Sequence, residues 1–262
     1  MKKIAVLSGK GGVGKSTITI NIALQLQKKG FKVGIMDADI DCPNIPQVAN
    51  LPMNIVIKVK DDMLIPIDWS GIDVISLAWT MPETTPILFD DTQKQETVEQ
   101  IIRLTKWKED LDYLIVDCPA GTGGVLYSVF QQDIIGGIIV TTPHAAAVAD
   151  AKRARDMLME YKTPLIGIIN NMAYIEVACE KCFHSTRFDL GKREDWNLSE
   201  IIGNIPFTRE ITELNIIANF EPLVDEILKR LPHLKAVKFY DSKSQKIKRA
   251  AAKFAVKTTS KV

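Results

Sequence analysis

The chain has 262 residues, of which 46% are hydrophobic and 25% are charged, and its formal net charge is +1. This composition is typical of a soluble globular protein, and no apolar run approaches the ~20 residues that span a bilayer, which excludes a transmembrane protein. The length suits one sizeable α/β domain. Because the first strand begins at the N-terminus, we expect no signal peptide, and a cytoplasmic location. Four cysteines in such a chain favour metal or redox chemistry over a disulfide framework.

Apolar runs of strand character alternate with helical segments along the chain. The strands are predicted at residues 3–7, 32–37, 73–78, 112–117, 137–142, 165–170 and 201–205. The helices are predicted at residues 16–29, 93–108, 125–132, 145–161 and 223–231. Several strands are apolar at nearly every position, as expected of parallel strands that are covered on both faces. The pattern predicts an α/β fold with a doubly wound, mostly parallel sheet that binds ligands at the carboxyl ends of its strands.

Two smaller features complete the predicted organisation. Residues 55–60 and 64–68, joined through Asp61-Asp62-Met63, are predicted to form a hairpin on the edge of the sheet. A domain at 1–235 and a basic tail at 236–262 are the simplest partition of the chain, because no internal repeat is present.

A glycine-rich segment between the first strand and the first helix matches the phosphate-binding pattern G-x-x-x-x-G-K-[ST]. Its residues, all candidates for binding ATP, are Gly9, Lys10, Gly11, Gly12, Val13, Gly14, Lys15, Ser16 and Thr17. The glycines let successive N–H groups and the positive end of the helix hold phosphate oxygens. Lys15 is expected to reach the β- and γ-phosphates, and the Ser16 hydroxyl to help hold Mg²⁺. Lys10 is not required for binding the triphosphate.

Carboxylates follow the second and fourth strands of the predicted series. Asp37 and Asp39 lie on one side of the extended chain, where a carboxylate near the phosphates can polarise water. We assign Asp39 as the water-activating residue and, with Ser16 and Asp117, as a candidate magnesium ligand. Asp37 is assigned as a supporting magnesium or switch contact. Asp117 ends an apolar strand, as a Walker B aspartate that reaches Mg²⁺ through water does. The flexible stretch at 119–124 is a candidate γ-phosphate switch.

The sequence around these motifs resembles the Mrp/ApbC family, which are iron–sulfur ATPases of the MinD/ParA superfamily. Residues 37–46, Asp-Ala-Asp-Ile-Asp-Cys-Pro-Asn-Ile-Pro, are similar to the family's Asp-Ala-Asp-Ile-Tyr-Gly-Pro-Ser-Ile-Pro. Residues 117–124, 140–143, 170–174 and 202–206 follow the family pattern in order, so that the resemblance covers residues 1 to about 232.

The resemblance implies roles for individual residues. In the deviant Walker A ATPases, the lysine equivalent to Lys10 crosses a dimer interface to the partner's nucleotide, so Lys10 joins Lys15 and Asp39 as a candidate catalytic residue. Asn171 is expected to contact the adenine base, and the backbone of Pro206 to close the same pocket.

The chain also departs from the family pattern. Ala120 and Gly124 replace a proline and an aspartate after the Walker B residue, and residues 87–91 replace a Trp-Arg-Gly-Pro segment. We expect ATP binding to survive these changes, whereas the rate of hydrolysis and its coupling to cluster transfer are open.

Cys179 and Cys182 form a C-x-x-C pair, a spacing that lets two thiolates share one metal centre. One pair does not complete a four-thiolate site, and Cys42 and Cys118 belong to the nucleotide strands. A two-fold homodimer would bring together four thiolates, which suits a bridging [4Fe–4S] cluster and equally a structural Zn²⁺. A redox dithiol and plain structural cysteines are the other interpretations. His184 is a candidate for joining or tuning the site, or a solvated loop histidine.

The resemblance favours the cluster, because Mrp-type proteins place their bridging cysteines at this position. The family usually has Cys-Pro-x-Cys-Gly there, so Glu180 and Phe183 are further departures. We therefore predict a homodimeric ATPase that assembles a [4Fe–4S] cluster and transfers it to apo iron–sulfur proteins.

The C-terminal tail allows a second functional interpretation. From residue 238 onward there are eight Lys and Arg residues against one acid, Asp241, and a weak apolar stripe of five residues, three of them alanine. The tail is either a solvated terminus, a contact for acidic proteins or nucleic acid, or a membrane-binding helix. The rival function is a MinD/ParA-like positioning ATPase that interacts with membrane or nucleoid, and a third is a nucleotide switch without metal.

Overall fold

The computed structural model describes residues 1–79, 89–121, 123–179, 181–182, 184–191, 199–208 and 220–234. Its strands are β1 (Lys2–Ser8), β2 (Val33–Asp37), β3 (Lys58–Lys60), β4 (Met63–Ile65), β5 (Ile67–Trp69), β6 (Ile72–Ser76), β7 (Tyr113–Ala120), β8 (Ile134–Thr141), β9 (Leu165–Asn170), β10 (Tyr174–Ala178), β11 (Ser185–Asp189) and β12 (Ile201–Asn204). Its α-helices are α1 (Lys15–Lys28), α2 (Ile45–Val48), α3 (Asp91–Leu104), α4 (Gly124–Phe130), α5 (Ala145–Glu160) and α6 (Phe220–Arg230).

The main sheet has eight strands in the order β12-β9-β8-β1-β7-β2-β6-β5. Every neighbouring pair is parallel except β5 and β6, which run antiparallel. Strands such as β2 and β6 are buried at every position, because helices cover both faces of the sheet. The predicted doubly wound, mostly parallel α/β fold is confirmed, and each strand predicted for this sheet is present with its ends shifted by a few residues at most.

Two hydrophobic clusters hold the layers together. On one face, Ile18, Ile22 and Leu26 of α1 and Phe220 of α6 pack against the sheet. On the other face, side chains from α3, α4 and α5 do so, among them Val98, which is fully buried. Burial of apolar surface on both faces is the dominant stabilising term for such a sheet.

The hairpin predicted from residues 55–60 and 64–68 is confirmed only in part, because residues 67–68 lie in the edge strand β5 whereas the hairpin itself is not on the sheet edge. A tight hairpin forms between β3 and β4, with Asp61 and Asp62 at left-handed φ angles of 54° and 58°, but it is a separate two-stranded sheet. The edge strand of the main sheet is β5, which pairs with β6.

Helix α3 is shorter than the predicted helix at 93–108. It ends at Leu104, because the backbone of Thr105 turns to the extended conformation and the next residue donates its N–H to the carbonyl of Leu64 at 2.8 Å. A tertiary contact with β4 therefore ends the helix where periodicity alone would continue it.

The sheet topology brings the motifs to one edge. β1, β7 and β2 are adjacent and parallel, so the phosphate-binding loop after β1 lies beside the carboxyl ends of β7 and β2. Among the described helices, none is both long and apolar enough to cross a membrane. The basic tail at 236–262, and with it the predicted domain boundary, lies outside the described residues.

Candidate nucleotide site and cysteine hairpin

The glycine-rich loop at 9–14 connects β1 to α1 and wraps the edge of a cavity of about 450 Å³. Gly12 and Gly14 have φ angles of +78° and +87°, a region that side chains rarely adopt. Gly9 is required for another reason, since a Cβ there would lie 2.2 Å from the backbone carbonyl of Asp150 in α5. The loop is therefore wound tightly, and the cavity is within the size range of small-molecule sites.

Lys15 lies between two carboxylates at the floor of this cavity. Its ammonium is 3.1 Å from Oδ2 of Asp117 and 3.7 Å from Oδ2 of Asp39. Burial lowers the pKa of Lys15, but the negative charges of Asp117 and Asp39 outweigh this effect, so that the net shift of its pKa is upward. Lys15 is therefore held as a cation, which is the state that binds phosphate.

Asp117 accepts hydrogen bonds from two hydroxyl groups of α1. Ser16 Oγ donates to its Oδ2 at 2.6 Å, and Thr19 Oγ1 donates to its Oδ1 at 2.8 Å. Hydroxyl and carboxylate oxygens side by side are a donor set that fits Mg²⁺, which prefers hard oxygen ligands. Sequence reasoning missed Thr19, although its position three residues after Ser16 places both hydroxyls on one side of the helix.

Asp37 is fully buried and both of its oxygens are used within the protein. Ser76 Oγ and the backbone N–H of Ile45 donate to Oδ2 at 2.8 and 3.2 Å, and the N–H of Asp39 donates to Oδ1 at 3.2 Å. Burial, with a contribution from the nearby charge of Asp117, raises the pKa of Asp37 to about 8. Of the two roles predicted for Asp37, these contacts fit the switch contact, because Asp37 fixes the loop that follows β2.

Asp39 lines the same cavity as the glycine-rich loop. Its Oδ1 accepts the backbone N–H of Cys42 at 3.2 Å, which closes the turn at 39–42. Burial raises the pKa of Asp39, and the neighbouring Lys15 ammonium opposes that effect without cancelling it. The position is suited to a carboxylate that acts on a water molecule next to bound phosphate.

Lys10 is exposed, in contrast to the buried Lys15. It lines the nucleotide cavity and also a second cavity of about 320 Å³, together with Val13, Pro143, Met172 and other residues. Among the described residues, no carboxylate lies within ion-pair distance of its ammonium. Within the described part of the chain, then, nothing competes by an ion pair for a contact of Lys10 with a group from outside the chain.

Asn171, directly after β9, is fully buried against the glycine-rich loop. Its Nδ2 donates to the carbonyl of Val13 at 2.8 Å, and a Cβ on Gly14 would lie 2.3 Å from the same nitrogen. Its Oδ1 is buried and has no hydrogen-bond partner among the described residues. Pro206 is also buried. Its neighbour Ile205 is hydrogen-bonded to the segment at 170–173, so that Pro206 lies beside that segment. Pro206 lines neither of the two cavities.

The C-x-x-C pair lies in the turn of a second hairpin, β10–β11, which sequence reasoning did not predict. Cys179 and Cys182 are both exposed. The backbone N–H groups of Cys182 and Lys181 donate to the Cys179 sulfur, and with the Cys182 thiol they lower the pKa of Cys179. His184 accepts the N–H of Cys179 on its backbone carbonyl at 2.9 Å. The turn thus stabilises the thiolate form of Cys179. Glu180 and Phe183 lie outside the described residues.

The other two cysteines are placed differently. Cys42 is exposed at the nucleotide cavity, and Cys118 is buried in β7, where burial raises the pKa of its thiol. Within the part of the chain that the structure describes, no group of three or more His, Cys, Asp and Glu side chains is placed to hold a metal ion. The hairpin of one chain offers two exposed cysteine sulfurs, Cys179 and Cys182.

The cysteine hairpin, β10–β11 with its turn, is anchored beside the glycine-rich loop. At its base, Leu190 donates its N–H to the carbonyl of Ala173, and Leu190 lines the same cavity as Lys10. Gly191 lies so close to Pro143 that a Cβ would be 2.3 Å from the proline ring. Only two residues separate Asn171, which holds the loop, from the first residue of β10. The two candidate sites therefore share one connecting segment.

The chain is similar to known proteins in sequence and in fold. The family model described as ParA, NUBPL iron-transfer P-loop NTPase, matches residues 1–226. An iron-sulfur cluster carrier protein of Aquifex aeolicus is 36% identical over 215 residues, which are 80% of this chain and 58% of the relative. The chain spans little more than half the length of the first curated relatives that it matches.

Solved structures extend the comparison. The nucleotide-binding protein of Archaeoglobus fulgidus, solved in complex with ADP, is 31% identical with a TM-score of 0.63. The match covers 91% of this chain and 94% of the Archaeoglobus chain. The MinD cell division protein of Aquifex aeolicus is 24% identical with a TM-score of 0.57, covering 90% and 98% of the two chains, which shows a shared fold.

The fold and the glycine-rich loop define a P-loop NTPase of the MinD/ParA type. Within that class, the chain belongs to the NUBPL iron-transfer P-loop NTPase family.

The hydrogen bond from Asn171 to Val13 is expected to contribute to both stability and ATP binding. Asn171→Ala should lower the free energy of unfolding by about 1–3 kcal/mol, because the buried carbonyl of Val13 loses its donor. It should also weaken ATP binding, since the loop loses its anchor. Urea unfolding and calorimetric titration with ATP measure the two effects. Asn54→Ala, at an exposed asparagine that lines neither cavity, is the control and should leave ATP affinity unchanged. Equal ATP affinity in the Asn171 variant and the wild type would contradict the assignment.

Proposed function

We propose that this protein is an ATPase that carries an iron–sulfur cluster between two copies of the chain and transfers it to apo iron–sulfur proteins. The observation that carries the proposal is the pair of exposed cysteines, Cys179 and Cys182, on a hairpin anchored beside the glycine-rich loop. The names of relatives, such as the iron-sulfur cluster carrier protein of Aquifex aeolicus, support it.

The nucleotide cavity supplies the binding and hydrolytic groups. Phosphate oxygens of ATP would take the place of the carboxylates that now neutralise Lys15, while the loop N–H groups surround them. Ser16 and Asp117 would hold Mg²⁺, which neutralises charge that develops on the phosphates. Asp39 would orient the attacking water. Asn171 and Pro206, which line neither cavity, would contact the adenine base once bound ATP extends to the segments that hold them.

Lys10 completes the site from the other subunit in this proposal. Its exposed ammonium lies at the rim of the cavity with no ion pair among the described residues, so it is available to a nucleotide bound by a second copy. A cation that stabilises charge on the transferred phosphoryl group from across an interface accounts for large rate effects in other P-loop NTPases.

The cysteine hairpin supplies half of a cluster site. Two thiolates per chain match a [4Fe–4S] cluster only when a second chain adds its own pair, which a two-fold homodimer does by symmetry. The same four thiolates would also bind Zn²⁺ tetrahedrally. The cluster is cargo in this proposal, and Zn²⁺ is the alternative ligand that metal analysis of the purified protein separates from it.

Lys15→Ala should weaken ATP binding at least about 100-fold, because hydrogen bonds from a charged group are worth about 1.5–3 kcal/mol and this lysine makes the central contact. Calorimetric titration measures the affinity, and circular dichroism checks the fold. Lys28→Ala, at the other end of α1, is the control. ATP binding to the Lys15 variant at wild-type micromolar affinity would show that the phosphate-loop assignment is wrong.

Changing both Cys179 and Cys182 to serine should abolish iron loading in anaerobic reconstitution and leave ATP affinity intact, because the hairpin tip is separate from the nucleotide cavity. Iron, sulfide and zinc are measured per chain. Cys42→Ser, which removes the exposed cysteine of the nucleotide cavity, should keep wild-type iron content. Unchanged iron in the double variant would refute the bridging site.

Lys10→Ala should lower kcat at least about 100-fold while ATP affinity changes little, because the lysine is proposed to act across the dimer. A mixing experiment tests the geometry. Lys10→Ala and Asp39→Ala chains are each expected to be inactive, but a mixed dimer contains one site with an intact Asp39 and an intact Lys10 from its neighbour. Mixing the two should therefore restore part of the turnover, and normal turnover by Lys10→Ala alone contradicts a role across the interface.

A further inference from the structure

Helix α3 carries two consecutive side chains that contact the two loops of the nucleotide site. The ammonium of Lys94 lies 2.5 Å from Oδ1 of Asp41, in the loop after β2. The amide of the next residue, Gln95, packs on the first residue of α4, so closely that a Cβ on Gly124 would lie 2.2 Å from Nε2 of Gln95. One helical turn therefore contacts both segments that follow the carboxylate-bearing strands.

The first turn of α3 is itself rigidly held. Asp90 and Gln93 form a reciprocal capping box, in which Asp90 Oδ1 accepts the N–H of Gln93 at 2.8 Å and Gln93 Oε1 accepts the N–H of Asp90 at 3.0 Å. One turn further on, Val98 is fully buried in the core. Lys94 and Gln95 are thus presented from a fixed backbone.

The contact with Asp41 reaches the candidate hydrolytic carboxylate through a short turn. Cys42 donates its N–H to Oδ1 of Asp39 at 3.2 Å, so the residue that Lys94 holds lies inside a turn closed by Asp39 itself. The side chain of Lys94 is 18% exposed and that of Asp41 is 58% exposed, so the lysine lies under the loop. A displacement of Asp41 would therefore move Asp39.

The contact with Gly124 is reinforced along the helix pair. Glu99, one turn after Gln95, accepts a hydrogen bond from the fully buried Ser128 Oγ of α4 at 3.1 Å. Helix α4 begins four residues after Ala120, which lines the nucleotide cavity. Because Gly124 has no side chain, the amide of Gln95 is the polar side-chain group that lies against it.

We propose that Lys94 and Gln95 are positioning residues for ATP hydrolysis, holding the 39–42 turn and the start of α4 in a fixed relation. Neither residue lines the nucleotide cavity, so they act through Asp41 and Gly124 rather than on ATP. This inference rests on the ATP hydrolysis proposed above. It assigns a role to two positions, Asp41 and Gly124, at which the chain departs from the family pattern.

Exchanging the charges of the ion pair tests the proposal. Lys94→Glu should lower kcat about tenfold, with ATP affinity within about threefold of wild type, because Lys94 does not line the cavity. Asp41→Lys, at a residue that lines the cavity, should lower kcat by a similar factor, and the double variant should regain most of the rate because the pair is restored in reverse. Lys94→Arg should keep the rate. Glu96→Lys, an exposed charge reversal on the same helix, is the control.

Separate variants test the contact between Gln95 and Gly124. Gln95→Ala should lower kcat about fivefold at unchanged ATP affinity, whereas Gln100→Ala, an exposed glutamine of the same helix, should have no effect. kcat, KM and thermal denaturation are measured for every variant, because a purely structural role would lower the stability without separating kcat from affinity.

The results distinguish the positioning role of Lys94 and Gln95 from the proposed ATPase activity. Wild-type turnover by Lys94→Glu, or a double variant that stays as slow as the single ones, overturns the positioning role and leaves the proposed ATPase untouched. A loss of ATP affinity in place of kcat also overturns it. If the wild-type chain binds ATP and hydrolyses none, both the proposed ATPase and this inference fail.

Discussion

The buried charge network at the floor of the nucleotide cavity is the constraint on which the rest of the structure depends. Lys15 is held between Asp117 and Asp39, while Asp37 takes up its own hydrogen bonds from the surrounding loop and strand. Buried charges are stabilising only when they are paired and hydrogen-bonded. The strand that leads to Lys15, β1, and the two strands that carry the carboxylates, β7 and β2, must therefore keep their register. The order β1-β7-β2 provides that register.

The same region ties the cysteine hairpin to the nucleotide site. Asn171 donates to the glycine-rich loop, and three residues further on the chain enters β10. After the partner strand β11, Leu190 lines the second cavity together with Lys10. In the proposed function, a change in the loop on ATP binding would reach the base of the hairpin through this one short segment. The continuity of the chain is the physical argument for relating the proposed nucleotide binding to the proposed cluster transfer.

The sequence predicted those parts of the molecule that depend on local pattern. Continuous apolar runs located the parallel strands, and the glycine-lysine pattern located the loop, because each signal lies within a few residues. Contacts between distant segments were missed. Ser76 and Thr19 meet the carboxylates only in the folded sheet, and β11 is exposed at every position, so it lacks the apolar alternation that marks a strand. The ion pair of Lys94 with Asp41 joins residues 53 positions apart.

The central claim is that one cluster is shared by two chains, each with its own nucleotide cavity. Native mass spectrometry of the anaerobically reconstituted full chain with ATP tests this claim most directly, because it reports chains, iron, sulfide and nucleotide in one particle. The account predicts a dimer with one [4Fe–4S] cluster and a nucleotide in each chain. A cluster held by a single chain, or a chain that remains monomeric with iron, sulfide and ATP supplied, would contradict it.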